Sequence, residues 1–454
     1  MGNIENLSSS FMYLNDDHFL VQVRGLPLVE EHCIYKEVQS LEVADMSTPM
    51  TGPVLRFIKH DTVAPKSPAE IASWPEKDRT SEWKGLALAA HALDQRFGKR
   101  ERPYVTHIAK TLSTPILREA MHVFSELFEG TSMSRFRGDS DVEIQPAFLV
   151  AHYLVEKHRE TLLWSFIVAK SDADHDGTLN ALEKDTVLRG IGWPDRGGQE
   201  VQIRRPERSS LADLQERGYF AQGLSPPAQT ALRFTSMDGY AYEDVPRVRS
   251  LTNGDTWPTF DDSRGPDRCT ISHECFPETF WSGEANAEDV LKHVAFERPR
   301  CGDCLIRAVV SRSGLRGLAA FLPLASLTPT EAYAQPIALE NTYEAASFAT
   351  ESTDWRSLAT SLIARYSYVV GDSPFRFKRV SGPGSALVGL HHIRQDPHYR
   401  CGLLCPTSRR PPAFLAINDD MGEHVSMRSL ERVNSQLEAF FEETFPSTSP
   451  YEAS

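Results

Sequence analysis

The stretch Phe11-Met12-Tyr13-Leu14-Asn15-Asp16-Asp17-His18-Phe19 decides how the rest of the chain is interpreted. Its apolar residues 11–14 predict a short strand buried on both faces, and the triplet Asn15-Asp16-Asp17 follows where that strand ends. The pattern recurs near the other end of the chain, where residues 414–417 are apolar and precede Asn418-Asp419-Asp420. If both strands belong to one sheet, the triplets meet at the edge where open α/β sheets bind ligands.

Carboxylates crowded at one sheet edge need a cation, and hard oxygen ligands suit Mg²⁺ or Mn²⁺. Such a cation suits a phosphate-bearing substrate. We therefore predict a Mg²⁺ or Mn²⁺ site at the two triplets. Its candidate residues are Asn15, Asp16, Asp17, Asn418, Asp419 and Asp420. The alternative is that each triplet is a simple turn, because Asn and Asp favour turns through local hydrogen bonds.

The composition is that of a soluble globular protein. The chain has 454 residues, 41% of them apolar and 24% charged, and its formal net charge is −14. This acidic balance argues against a broad nucleic-acid surface and favours small molecules, glycans or proteins as partners. No stretch approaches the run of apolar residues that a transmembrane helix needs, and the N-terminus lacks the pattern of a signal peptide.

Six of the seven cysteines lie in three close pairs: Cys269 with Cys275, Cys301 with Cys304, and Cys401 with Cys405. Close pairing allows disulfides in an oxidising lumen. It equally allows a zinc site from Cys301, Cys304, Cys401 and Cys405, or plain thiols. The spacing leaves all three open.

Apolar periodicity and capping signals place the main elements. They predict helices over 81–97 (ending at Gly98), 115–128, 145–169, 353–368 and 426–445, and strands over 54–58 and 375–379. The helix over 145–169 is expected to bury one stripe. Residues 305–327 suit a strand and a helix. Residues 192–298 are irregular, as in an insertion pinned in part by Cys269 and Cys275.

The most specific local motif follows the helix over 145–169. Residues 172–183 have the spacing of a twelve-residue EF-hand calcium loop, with Gly177 at the sharp turn. Its candidate ligands, at positions 1, 3, 5, 7, 9 and 12, are Asp172, Asp174, Asp176, Thr178 through its carbonyl, Asn180 and Glu183. We predict Ca²⁺ here, in a role that stiffens the structure. The alternative is an acidic turn that binds nothing.

Two further segments carry side chains that suit a phosphate substrate. His107 lies after Pro103 and before the predicted helix at Pro115, where a side chain can reach a ligand. Arg135 and Arg137 flank an aromatic residue, and two guanidinium groups in that spacing can clamp phosphate oxygens. The alternatives are an exposed loop histidine and a charged surface loop.

Taken together, these segments resemble the Stealth family of sugar-1-phosphate transferases. Residues 11–19 resemble its second sequence block, and residues 104–153, with Pro115-Ile116-Leu117-Arg118-Glu119 and Arg135-Phe136-Arg137, resemble its third. Residues 411–452, with Asn418-Asp419-Asp420 and the ending Ser449-Pro450-Tyr451-Glu452, resemble its fourth. The family's first block has no counterpart here.

The resemblance implies transfer of a sugar 1-phosphate from a nucleotide sugar to a hydroxyl of a glycan or glycoprotein, with release of nucleoside monophosphate. His107 matches the family's proposed general base, and Arg137 matches its phosphate-stabilising arginine. Asp16, Asp17, Asn418 and Asp419 would hold the metal and the donor diphosphate. A Golgi location follows by resemblance, with the membrane involved only through an N-terminal anchor that this chain does not carry.

The expected fold is α/β, with a Rossmann-like nucleotide-sugar transferase core. Residues 1–103 form the first part of the core, 104–192 the helical region with the EF-hand loop, 193–300 the irregular insertion, and 301–454 the rest of the core. Because the first block is missing, the alternative is a truncated, non-catalytic relative that binds calcium and glycan. An ordinary glycosyltransferase, which would release nucleoside diphosphate, is a third possibility.

Overall fold

The computed structural model describes a large part of the chain. The described residues are 8–13, 18–20, 53–55, 57–105, 110–135, 141–194, 200–203, 232–236, 269–313, 318–324, 335–371, 376–381 and 414–420, with scattered helical positions between 426 and 442. The predicted site residues Asn15, Asp16, Asp17, His107 and Arg137 lie outside these ranges, as do Cys33, Cys401 and Cys405.

Helices and short strands alternate along the described chain. The helices are α1 Pro68–Ala72, α2 Glu76–Arg79, α3 Glu82–Phe97, α4 Thr114–Val123, α5 Ser125–Met133, α6 Pro146–Trp164, α7 Ala181–Ile191, α8 Glu278–Ser282, α9 Ala287–Lys292, α10 Pro299–Ser311 and α11 Trp355–Arg365. The strands are β1 Ser10–Tyr13, β2 His18–Leu20, β3 Val54–Leu55, β4 Phe57–Val63, β5 Arg102–Val105, β6 Lys110–Ser113, β7 Thr178–Leu179, β8 Glu200–Ile203, β9 Leu232–Thr235, β10 Cys269–Ser272, β11 Ala285–Asn286, β12 Val369–Gly371, β13 Arg376–Ser381 and β14 Phe414–Asp420.

These strands join into small sheets of two or three members. The three-stranded sheets have the orders β13-β14-β2 and β3-β12-β9, and the pairs are β1-β6, β4-β5, β7-β11 and β8-β10. Parallel pairing occurs between β13 and β14 and between β12 and β3. The fold is therefore a mixture of helices and short strands, consistent with the predicted α/β class. The Rossmann-like core stays a prediction.

Helix α6 runs through the middle of the core, and the predicted single buried stripe is wrong. Every residue of α6 after Pro146 is buried, including Lys157 and Arg159 at 0% exposure. The helix continues into a π-helical turn, Ser165–Ser171. Charged residues are tolerated inside because partners from other elements neutralise them, as Asp303 does for Arg159 at 2.5 Å.

Three other predicted elements differ in detail. The helix predicted over 115–128 is interrupted at Phe124, whose ring packs edge-to-face on Tyr153, and α5 starts afresh after it. Within the predicted strand and helix over 305–327, residues 305–311 instead belong to α10, which Pro299 opens as a favoured first-turn residue. Strand β1 is not buried on both faces, since Phe11 and Tyr13 are only partly buried.

The helices predicted over 81–97 and 353–368 are confirmed as α3 and α11, and the strand over 375–379 as β13. Gly98 ends α3 with φ 82°, and a side chain there would collide with the carbonyl oxygen of Phe296. The helix predicted over 426–445 is helical at its described positions, most of which are exposed.

The cysteine pairing does not follow sequence proximity. Cys275 forms a disulfide with Cys301, and Cys304 is disulfide-bonded as well. The zinc site that included Cys301 and Cys304 is therefore wrong, because a disulfide sulfur offers no thiolate to a metal. The 275–301 bridge instead joins the end of β10 to the start of α10, across a stretch that contains α8 and α9.

Candidate functional site

The second Asn-Asp-Asp triplet lies inside a strand, whereas the sequence pattern predicts that it follows one. Strand β14 includes Asn418, Asp419 and Asp420, because β13 beside it is long enough to pair with all three. In that parallel register, Asn418 lies opposite Arg379. The triplet therefore occupies the carboxyl end of two neighbouring parallel strands.

The first triplet reaches the same sheet through the strand that follows it and not through the one that precedes it. Strand β1 pairs with β6, whereas β2 pairs antiparallel with β14, and His18 lies opposite Ala416. Asp17 directly precedes His18 in the chain. Because the pairing is antiparallel, the start of β2 lies at the end of β14 that carries Asn418. The expectation that β1 shares a sheet with β14 is wrong.

The chain segments that carry the first triplet and His107 leave from one end of the β1-β6 ladder. Tyr13, at the end of β1, lies opposite Lys110, at the start of β6, and the Lys110 ammonium is 5.9 Å from the Tyr13 ring centroid. His107 falls in the connection between β5 and β6. Tyr13 and His18 are separated by five residue steps, which span at most about 18 Å. The start of β2 therefore lies within about 18 Å of the end of β1.

A buried histidine fixes the strand that leads to His107. The Nε2 atom of His152, on α6, lies 2.9 Å from the carbonyl oxygen of Pro103 in β5. Burial, together with the charge of Arg102, lowers the pKa of His152 to about 3. The ring is therefore neutral and donates from Nε2 to the carbonyl. Helix α6 thus holds β5 in place shortly before the connection to β6.

An ion-pair network surrounds this contact. Arg102 bonds to both Asp94 and Glu156, and Arg100 bonds to Glu156 at 3.1 Å and to Asp303 at 2.5 Å. Burial alone would raise the pKa of Glu156, but the two guanidinium groups outweigh it and the pKa lies below the ordinary value. The carboxylate is therefore ionised. The network joins α3, α6 and α10 to β5, the strand that precedes the connection with His107.

Glu119 forms a second buried centre, on α4. Its Oε1 accepts hydrogen bonds from the hydroxyls of Tyr153 at 2.8 Å and Tyr366 at 2.6 Å, and its Oε2 accepts two from the guanidinium of Arg365, at 3.0 and 2.7 Å. Burial, with the Glu119 charge adding to it, raises the pKa of both tyrosines well above the ordinary value. Glu119 therefore ties α4 to both α6 and α11.

The loop 172–183 has the backbone form that its spacing predicts. Gly177 turns with φ 85° and donates its N–H to Asp172 Oδ2 at 3.0 Å. Glu183 accepts from the N–H of Ala173 at 2.7 Å and of Asn180 at 2.9 Å, so its carboxylate faces back into the loop. Asn180 caps α7. The last ligand position is thereby held against the first.

The acidic side chains of this loop converge. Carboxylate oxygens of Asp172, Asp174 and Asp176 lie within 4.8 Å of one another. Asp172 is 2% exposed, and its Oδ1 atom is buried without a hydrogen-bond partner. Burial and the nearby Glu183 charge raise the pKa of Asp172 to about 6. An orphaned carboxylate oxygen among other carboxylates suits a hard cation, and the donor set fits Ca²⁺.

The loop is far from the phosphate-side residues. Asp172 follows His152 by 20 residues along α6 and its π-helical turn, a distance of roughly 25–30 Å along the helix axis. Both α6 and the stack of His175 on Trp355 fix the loop to the core. The loop 172–183 and the predicted phosphate-binding residues therefore belong to two separate candidate sites, which helix α6 connects.

Sequence reasoning missed several residues that build this frame. Glu119 stands in the stretch that resembles the family's third block, but its partners Arg365 and Tyr366 lie 246 and 247 residues away. The partners of Asp303 lie 203 and 144 residues away, and Asp94 pairs with Arg102 eight residues away without any recognisable motif. The disulfide partner of Cys275 was equally hidden, since it lies 26 residues away.

The chain was compared with known proteins. Residues 106–156 match the family model described as Stealth protein CR3, conserved region 3. The match and the relatives described below support membership of the Stealth family. The matched Stealth region spans the connection that carries His107, helices α4 and α5, and the first part of α6. It therefore includes Glu119, His152 and Glu156.

Curated Stealth relatives extend the similarity over the whole chain. The chain is 27% identical over 492 residues to a 3-O-alpha-D-mannopyranosyl-alpha-D-mannopyranose xylosylphosphotransferase of Cryptococcus neoformans var. grubii. It is 27% identical over 490 residues to the protein of that name from Cryptococcus neoformans var. neoformans serotype D, strain B-3501A. Each alignment covers 100% of this chain and 50% of the relative, so the chain spans about half the length of the curated relatives it matches.

Among the helices of the described chain, none combines the length and the apolar character that crossing a bilayer requires.

Proposed function

We propose that this Stealth chain carries the transfer site of an enzyme that moves a sugar 1-phosphate from a nucleotide sugar to a glycan hydroxyl and releases nucleoside monophosphate. The observation that carries the proposal is the antiparallel pairing of β2 with β14, which brings the strand after Asp17 beside the strand that contains Asn418 and Asp419. The names of the relatives, xylosylphosphotransferases, support the reaction class.

The proposed chemistry assigns one step to each group. His107 takes the proton from the acceptor hydroxyl, whose oxygen attacks the sugar-bearing phosphorus. The bond from that phosphorus to the bridging oxygen breaks, and the electron pair leaves with the nucleoside monophosphate. Arg137 neutralises charge on the phosphoryl oxygens. The network around Arg102 and the bond from His152 to Pro103 hold the connection that carries His107.

The two triplets are the proposed metal-binding residues at this site. Asp16, Asp17, Asn418 and Asp419 would hold Mg²⁺ or Mn²⁺ together with the donor diphosphate, and Asn15 and Asp420 would complete the polar edge. A divalent cation there would offset charge that develops on the phosphoryl oxygens.

We also propose that the loop 172–183 binds Ca²⁺ in a structural role, through Asp172, Asp174, Asp176, Thr178, Asn180 and Glu183. The convergence of three carboxylates and the orphaned Oδ1 of Asp172 support this. Its separation from the phosphate-side residues by most of α6 supports a role in stability and not in the chemistry.

We place the chain in the oxidising lumen of the secretory pathway, and by family resemblance in the Golgi. The disulfide between Cys275 and Cys301 supports an oxidising compartment. The proposed partners are a nucleotide-sugar donor and a glycan or glycoprotein acceptor. The net charge of −14 disfavours nucleic acid.

The test is an assay of the chain with nucleotide-activated xylose and 3-O-α-mannosyl-mannose, the sugars in the relatives' name, with Mg²⁺ or Mn²⁺. We expect nucleoside monophosphate as product, loss of turnover in His107→Ala, and retention in His122→Ala, an exposed histidine on α4. Nucleoside diphosphate as product would point to an ordinary glycosyltransferase. Binding of glycan and Ca²⁺ without turnover would point to the non-catalytic relative.

A further inference from the structure

A second helix–loop–helix segment faces the loop 172–183. The two-residue strands β7 and β11 pair antiparallel, with Leu179 opposite Ala285 and Thr178 opposite Asn286. Strands of this length are not stable by themselves, so each needs the other. EF-hand loops are commonly joined in pairs by such a ladder at their eighth positions. The pairing therefore aligns residues 278–289, the first five of which form helix α8, with loop 172–183 at an offset of 106 residues.

Two features of the loop 172–183 recur at this offset, the helix cap and the buried ladder residue. Asn286 stands where the first loop has Asn180, and each asparagine caps the helix that leaves its loop, Asn180 for α7 and Asn286 for α9. Ala285, like Leu179 opposite it, is almost wholly buried. Gly283 stands where the first loop has Gly177, but its backbone is extended, with φ 178°, whereas Gly177 turns with φ 85°. The second segment thus keeps the cap and the buried ladder residue and has lost the left-handed turn.

The ligand set, in contrast, is incomplete: acids remain at positions 1 and 12, Glu278 and Asp289, but positions 3 and 5 carry none. Position 3 of the second loop is Phe280, which is 2% exposed and stacks on Phe276 at 4.4 Å between ring centroids. Position 5 is Ser282, whose hydroxyl donates to the carbonyl oxygen of Glu278 at 3.0 Å. Position 1, Glu278, is exposed. Among the described residues, metal-ligand side chains converge in the first loop and not in this one.

A lysine from the first loop's exit helix enters the second loop instead. The ammonium of Lys184 donates to the carbonyl oxygen of Gly283 and, at 3.5 Å, to that of Thr279. It lies 5.5 Å from the centroid of the Phe280 ring, within cation–π range. Lys184 is 9% exposed, so this charge is nearly removed from water. Its positive charge meets two carbonyl dipoles and a ring face.

We infer that residues 278–289 form a second EF-hand-like loop in which the Lys184 ammonium takes the place of a metal ion. The inference goes beyond the proposed function, because it assigns a built-in cation to a loop that no transfer step uses. It holds whether or not the first loop binds Ca²⁺. The chain then has one loop open to metal and one closed to it.

The arrangement links the two loops mechanically. Lys184 directly follows Glu183, the last ligand position of the first loop, so anchoring its ammonium in the second loop holds the first turn of α7. The Cys275–Cys301 disulfide closes the chain around the second loop. Residues 278–289 are therefore expected to stabilise the position of the loop 172–183.

The test combines chemical rescue with metal counting on the full chain. Lys184→Ala removes the ammonium and its stem, and we expect a fall in the melting temperature of about 2–5 °C. Ethylammonium chloride should restore part of that loss, because the small cation can enter the vacated space. Tetramethylammonium chloride at equal concentration, which cannot donate a hydrogen bond, should not. Arg189→Ala, an exposed cation on the same helix, is the matched control and should show no rescue.

Ca²⁺ binding by isothermal titration gives the independent arm. A single Ca²⁺ in the unaltered chain, abolished by Glu183→Gln, supports the inference, whereas two ions would overturn it. Absence of any Ca²⁺ binding would overturn the calcium proposal alone, because the rescue of Lys184→Ala does not depend on it. Equal effects of both salts, or equal rescue of Arg189→Ala, would overturn the assignment of Lys184. If Lys184→Ala fails to fold, Lys184→Arg is expected to fold with near-normal stability, and its failure as well would count against a role as a replaceable cation.

Discussion

The imidazole of His175 lies flat on the indole of Trp355, with 4.0 Å between the ring centroids and 18° between the ring planes. His175 is the fourth residue of the loop 172–183 and has a left-handed backbone, with φ 59°. Trp355 opens α11, the helix whose far end carries Arg365 and so reaches Glu119. The stack therefore connects the loop 172–183 to the helix that contacts Glu119 in the matched Stealth region.

We expect this stack to report Ca²⁺ binding to the loop 172–183 through tryptophan fluorescence. Ligation of the neighbouring Asp174 and Asp176 is expected to shift His175 and so change the fluorescence of Trp355. Titration with Ca²⁺ should change the emission of the unaltered chain and leave that of Trp355→Phe almost unchanged. Trp83→Phe, which alters an exposed tryptophan on α3, should keep the response. A full response in Trp355→Phe would show that the stack does not report the loop.

Removal of Ca²⁺ is expected to affect stability and not the chemistry of transfer. EGTA in the presence of excess Mg²⁺ should lower the melting temperature, because the carboxylates of the loop then repel one another. Turnover measured well below that temperature should persist. Asp174→Asn should mimic EGTA, and Glu126→Gln, an exposed substitution on α5, should not. Loss of turnover at low temperature with EGTA would instead indicate a catalytic role for Ca²⁺.

Glu119→Ala should be among the most destabilising single substitutions in the chain. It leaves the Arg365 guanidinium and two tyrosine hydroxyls without their acceptor, and we expect a loss of about 3–5 kcal/mol in the free energy of unfolding. Urea denaturation measures this loss. Glu126→Ala, on the exposed surface of α5, should stay within about 0.5 kcal/mol of the unaltered chain. A similar small effect for Glu119→Ala would mean that its partners find other acceptors.

His152 should make the fold sensitive to mild acid. Its folded pKa of about 3 lies below the unfolded value of 6.5, so the unfolded chain binds the extra proton as the pH falls through that window. Stability is therefore lost as the pH drops below 6.5, by about 2 kcal/mol between pH 7 and pH 5 for this group. The charges that face it are Arg102, Glu156 and Arg100.

The comparison is with His152→Gln, which keeps an N–H donor for the Pro103 carbonyl but does not titrate. Its unfolding free energy should fall less between pH 7 and pH 5 than that of the unaltered chain. His122→Gln, exposed on α4, serves as the control and should follow the unaltered chain. If the unfolding free energy of all three proteins changed equally with pH, His152 would not be the source of the acid sensitivity.

Loss of the Cys275–Cys301 disulfide should destabilise the helices that it encloses. The bridge closes a loop of 26 residues, and its removal in the double variant Cys275→Ser, Cys301→Ser is expected to lower the unfolding free energy by about 3 kcal/mol. Denaturation under non-reducing conditions measures this, with Ser272→Ala in β10 as a control for a substitution beside the bridge. Equal stability of the double variant and the control would contradict the expectation.

Local signals predicted the elements whose causes are local. Helix α3 ends at Gly98 because only a residue without a side chain fits its left-handed backbone beside Phe296, and the loop 172–183 has its turn at Gly177 for a similar reason. The strand β13 follows from its alternation of aromatic and basic residues. In these cases the signal that predicts the element, a glycine with positive φ or an alternating pattern, lies within the segment itself.

The rest depended on partners distant in sequence. Helix α6 contains residues that a hydropathy pattern assigns to the surface, and Arg159 is neutralised inside by Asp303, which lies 144 residues away in the chain. The sequence pattern predicts that β1 lies in the sheet of β14, but β2 pairs with β14 instead. This pairing joins segments almost 400 residues apart, so no local pattern encodes it. The second loop keeps its glycine and asparagine but has no acid at positions 3 and 5, so its sequence no longer shows the calcium-loop motif.

Because α6 is buried, substitutions among its polar residues are expected to be tolerated less well than polar substitutions usually are. Residues 156–160, Glu-Lys-His-Arg-Glu, form one of the most hydrophilic runs of the sequence, and each is no more than 3% exposed. A substitution matrix would score Lys157→Arg or Glu160→Asp as mild exchanges. Here they change the volume and reach of groups held in a closed interior, so tolerance should be lower in this polar run than at the exposed apolar residues Leu182 and Leu324.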